Sequence, residues 1–81
     1  MALKYEPLNQ FLNRIDKGVV RLRFSAIAEI LGFRLPASAY KHPAAWWANH
    51  RSHVQAVAWM AAGWRMTDHS FQDEWVEFTK V

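Results

Sequence analysis

The feature that most restricts what this chain can fold into is segment 44–64, AAWWANHRSHVQAVAWMAAGW, and within it the run 56–62, where every residue is apolar. A helix is expected there. Ser52 with Gln55 three residues on has the spacing of a capping box, and Gly63 stops the helix, as a residue free to take left-handed backbone angles does. Val54, Val57, Ala58 and Ala61 supply its expected buried stripe. A helix without a polar face is not an ordinary surface helix. It either lies at the centre of a core or leaves an apolar face for self-association or for a partner.

The remaining sequence supplies elements for that helix to pack against. Pro7 opens an amphipathic helix, with Leu8, Phe11, Leu12 and Ile15 on one side and an end near Lys17 and Gly18. Residues 19–24 alternate, Val20, Leu22 and Phe24 facing one way and Arg21 and Arg23 the other, which is the period of a half-buried strand. Ser25 is placed to cap a short helix through Leu31, with Ile27, Ile30 and Leu31 inward and Gly32 as its stop. Pro36 and Pro43 interrupt residues 33–50, leaving room for one or two helical turns. Residues 64–69 and 74–81 then read as a hairpin around the polar 70–73 turn, with Val76 and Phe78 inward.

The expected fold is therefore a small α+β domain over residues 1–81, with three short antiparallel strands and three to four helices in the order α-β-α-α-β-β. That is also the element order of a winged helix-turn-helix. An 81-residue chain buries only about 60% of its unfolded surface, and without cysteine it has no disulfide or thiolate metal staple. A hydrophobic fraction of 52%, with five Trp and five Phe, supplies the packing instead and places the chain in the soluble globular class. No apolar run is long enough to span a bilayer and the opening residues lack a signal-peptide core, so the expected location is the cytoplasm, with no membrane partner.

Charge points to the same segment. The formal net charge is +3, and every acidic residue lies before Ile30 or after Thr67, so the stretch holding Arg34, Lys41, Arg51 and Arg65 contains no acid of its own, with Glu29 and Asp68 the acids that folding could bring beside it. A helix start carries free amides and partial positive charge, and here it is preceded by Asn49, His50, Arg51, Ser52 and His53. Arg51 suits a bidentate phosphate or guanine contact, Asn49 suits adenine, and Lys41 and His42 widen the patch. Trp46 and Trp47 are adjacent, so one ring is expected in the core and the other free for a base or a partner. The plain alternative for this whole cluster is a polar loop with a helix cap. Moreover, the apolar helix lacks the polar side chains of a recognition helix, and the acidic residues of the hairpin disfavour contact between the wing and a phosphate backbone.

The expected function is nucleic-acid binding, DNA more than RNA, by a modified winged helix with a regulatory or host/phage-conflict role. The alternative is a protein-interaction module or small inhibitor, or a homodimer, using the tryptophan-rich apolar surface. His50 and His53, with His42 or His69, lack the Cys or paired carboxylates of a metal site, so no metal and no cofactor is expected. There is no phosphate loop, nucleophile elbow or carboxylate pair, and no enzyme is expected.

At Trp46-Trp47-Ala48-Asn49, then Ser52-His53, Gln55-Ala56, Ala58-Trp59 and Ala62-Gly63-Trp64, the chain resembles a family of small uncharacterised domains in bacterial and phage proteins. Tyr40-Lys41-His42 and Lys4-Tyr5-Glu6-Pro7-Leu8 also fit, so the resemblance covers nearly the whole chain. It implies a common fold and a shared importance of this block, without an activity. His50 stands where the family is more often acidic, which makes this loop more basic.

Overall fold

A computed structural model describes residues 4–81. Helix α1 (Glu6–Arg14) leads into strand β1 (Val19–Arg23), followed by helices α2 (Phe24–Leu31), α3 (Ala37–Lys41), α4 (Pro43–Trp46) and α5 (Val54–Ala61), and then by strands β2 (Trp64–Ser70) and β3 (Trp75–Lys80). The α+β class and the three-stranded antiparallel sheet agree with the pattern of the sequence. In sheet order the strands run β1-β3-β2, so β3 is central and pairs with both others. Val20 faces Phe78 and Leu22 faces Val76 in one register, and Met66 faces Phe78 in the other. Those alternate residues put one sheet face onto the helices.

Two glycines act as read. Gly32 ends α2 at φ 83° and Gly63 turns the chain from α5 into β2 at φ 86°, both at positive φ, where glycine is favoured over residues with a side chain. Helix α1 stops at Arg14, short of Lys17, because Ile15 takes an extended conformation that lets it pack against the core. Ser25 is no cap: α2 begins one residue earlier, at Phe24, after an extended Arg23 with no capping side chain. Burial decides that boundary, since Phe24 is enclosed and stacks on Trp47 with centroids 4.8 Å apart, while its amide donates to the Glu74 carbonyl.

From there an aromatic row crosses the molecule. Trp47 stacks on Trp59 at 6.1 Å, and Trp59 lies 5.1 Å from Phe78 on the central strand. Trp46 meets Trp47 edge-on at 4.5 Å, and Tyr5 meets Trp46 at 6.0 Å and Phe33 at 5.8 Å. Each such pair adds about 0.5–1.5 kcal/mol beyond the area it buries. A core built on large rings compensates for the missing disulfides.

Candidate functional site

The residues singled out in sequence separate into an inner and an outer set. Trp46 and Trp47 both belong inside, Trp47 being wholly buried with its indole N–H donating to the Ala39 carbonyl at 3.2 Å. The expectation that one of the rings stays free for a base or a partner is therefore not met. Short α4 ends between them, and the turn at Trp47 lets both rings enter the core from adjacent positions.

Asn49 is also drawn inward. Its Oδ1 accepts from the Trp59 indole N–H and from the Met66 amide, both at 2.8 Å, and its Nδ2 donates to the Met66 carbonyl at 2.8 Å. One amide thus ties the loop before α5 to that helix and to β2. The donor and acceptor that a bidentate adenine contact needs are already committed, which removes Asn49 from the expected contact set. Nothing in local spacing marks this role, because the partners lie 10 and 17 residues away in sequence.

The capping box does not form. His53 occupies the position before α5, with no side-chain cap, and Ser52 instead meets Nδ1 of His50, through its hydroxyl at 2.6 Å and its amide at 3.2 Å. Gln55 turns into the core, where Nε2 donates to the Trp46 carbonyl at 2.9 Å. These bonds rotate α5 away from the expected orientation. Its buried residues are Gln55, Ala56, Ala58 and Trp59, while Val54 is 68% exposed, Val57 39% exposed, and Ala61 also exposed. Of the expected stripe only Ala58 is buried. An outward apolar ridge of Val54, Val57 and Ala61 takes the place of the rest.

A groove flanks the ridge on either side. One, of about 460 Å³, is lined by Arg51, Val57, Met60, Ala61, Trp64 and Arg65 among others, with no acidic side chain in its wall. Trp64 is almost wholly enclosed there and its indole N–H finds no partner within the described residues. The other, of about 260 Å³, runs between α1 and α5 past Lys4, Tyr5, Glu6, Asn9, Val54 and Val57. Burial holds the Tyr5 phenol above the ordinary tyrosine range, because the charged form loses its water there.

Arg51 and Arg65 thus line the same groove, which their separation in sequence does not announce. His42 and His53 line a shallow depression with Gln55, and the His50 and His53 rings lie 5.0 Å apart. Lys41 is exposed at the end of α3. Among the described residues no group of three His, Cys, Asp or Glu side chains converges as a metal site would require, and no helix is long and apolar enough to cross a membrane.

No curated protein and no solved structure matches the chain. A family model described as "Domain of unknown function (DUF7662)" matches residues 5–81. With nearly every residue of the aromatic core, the Asn49 tie and the α5 ridge inside that span, the chain belongs to this domain family of unknown function.

Proposed function

We propose that the domain is a protein-interaction module that receives a partner on the outer face of α5. The observation that carries this reading is the ridge itself: Val54 and Val57 stand exposed on a helix whose other face is fully used by the core, with a groove on each side. Contiguous exposed apolar surface rimmed by polar groups is the usual mark of a protein contact site. A photo-crosslinking residue at position 57, introduced in cells that make the protein, tests it. The expected result is a discrete protein adduct that disappears when Val54 is changed to Asp. Absence of any protein adduct contradicts the proposal.

A second reading rests on Arg51 and Arg65 sharing one groove that has no acidic side chain in its wall, with Lys41 and His42 also exposed. These groups suit nucleic acid, DNA more than RNA, in a regulatory or host/phage-conflict role of modified winged-helix type. With Asn49 committed internally, such binding addresses phosphates more than bases. It predicts a salt-dependent mobility shift of random duplex DNA that Arg51→Ala weakens. No shift at low salt excludes it. Under either reading the domain is a cytoplasmic binder of bacterial or phage origin and not an enzyme.

A further inference from the structure

We infer that the occupant of the Arg51–Arg65 groove is an acidic, amphipathic segment of another protein, an inference that rests on the interaction reading above. The two cations flank α5 in sequence, and the Asn49 bonds to the Met66 backbone bring their two chain segments together, so that both line one groove. The rest of the wall is made by Val57, Met60, Ala61, Gly63, Trp64 and Val81, whose side chains are all apolar. The groove suits a ligand that presents apolar side chains to this wall and carboxylates to the two guanidiniums. Each guanidinium matches a carboxylate as a planar, bidentate pair, and arginine is among the residues that most often anchor interfaces.

Charge complementarity selects this occupant over the other two candidates. A second copy of the chain brings the same ridge, and with it Arg51, Arg65 and Lys4, against only Glu6 among the groove residues. Like charges facing one another disfavour that pairing. A nucleic-acid backbone satisfies the arginines but leaves Val57, Met60 and Ala61 without an apolar counterpart, since phosphate recognition is a matter of cations and amide or hydroxyl donors. An acidic amphipathic segment alone uses both the cations and the apolar wall.

The test is selection of displayed random peptides on the purified domain, followed by solution binding of the enriched peptides to the wild type, Arg51→Glu, Arg65→Glu and Val57→Asp. All three positions are exposed, and matched melting curves verify that each variant is folded. Enriched sequences should combine a helical apolar stripe with two acids. Binding should weaken on the order of tenfold or more in each arginine variant, disappear in Val57→Asp, and weaken with salt. Enriched peptides that depend on Val57 but lack acids, or ignore both arginine reversals, overturn the inference and leave the interaction reading standing. Failure to recover any Val57-dependent peptide counts against both. A concentration-dependent dimer lost in Val57→Asp assigns the face to a second copy. A DNA shift lost in the arginine variants but unchanged in Val57→Asp assigns the groove to nucleic acid. Either of these last two results also overturns the inference.

Discussion

Helix α5 presents two apolar faces that composition does not distinguish. The inner one holds Gln55, Ala56 and Trp59; the outer one holds Val54, Val57 and Ala61. The inner face contains the one polar residue between Val54 and Ala62, and that residue is buried. Apolar content therefore does not choose which side of the helix goes in. The choice follows from two amides, Asn49 holding the Trp59 indole and Gln55 holding the Trp46 carbonyl, because each needs its partner in a fixed direction. Directional bonds orient an element that hydrophobicity leaves free to turn.

The contrast can be broken most severely from the inside. Trp59→Ala removes a wholly buried ring from the aromatic row and should cost about 3–5 kcal/mol, measured by denaturant unfolding. A cost below about 1 kcal/mol contradicts a packed inner face. Asn49→Ala leaves the Trp59 indole and the Met66 amide and carbonyl without their partner, with an expected loss of about 2–3 kcal/mol. Asn49→Asp, which keeps the acceptor but sets a carboxylate oxygen against the Met66 carbonyl, should lose at least as much.

Two smaller effects sharpen the comparison. Ser52→Ala should change stability by less than about 0.5 kcal/mol, since Ser52 binds an exposed His50 and caps nothing; a true cap is worth about 1 kcal/mol. Val57→Asp on the outer face should likewise stay within about 0.5 kcal/mol in thermal or chemical unfolding. A loss that depends on protein concentration would mean that the outer face is packed in solution, as in an obligate oligomer.

Much of the fold was legible. Val20 and Leu22 in β1, Val76 and Phe78 in β3, and the stops at Gly32 and Gly63 follow from local rules, because alternation and left-handed turns depend on neighbours in the chain. The candidate site was legible only in part. Lys41, His42, His50 and Arg51 are exposed as a contact surface requires, but Trp46, Trp47, Asn49 and Gln55 are committed to internal contacts made across the fold, and Ser52 to a local one with His50. That Arg65 lines the same groove as Arg51 had no local signal at all, since it depends on where the chain goes after Gly63. Periodicity failed on α5 for a simple reason: where every position is apolar, a period has no phase.

The sheet order has a consequence for how the protein is made. Strands β1 and β2 are both paired to β3 and not to each other, so neither has a ladder until Trp75–Lys80 has been synthesised. During translation, β1 must wait while more than half of the chain is added behind it, its Val20 and Leu22 without their sheet neighbours. Of the three strands, the one synthesised last is the one that closes the sheet. A nascent chain arrested before Trp75 should therefore be readily cut by protease, and the same chain released after Lys80 should resist.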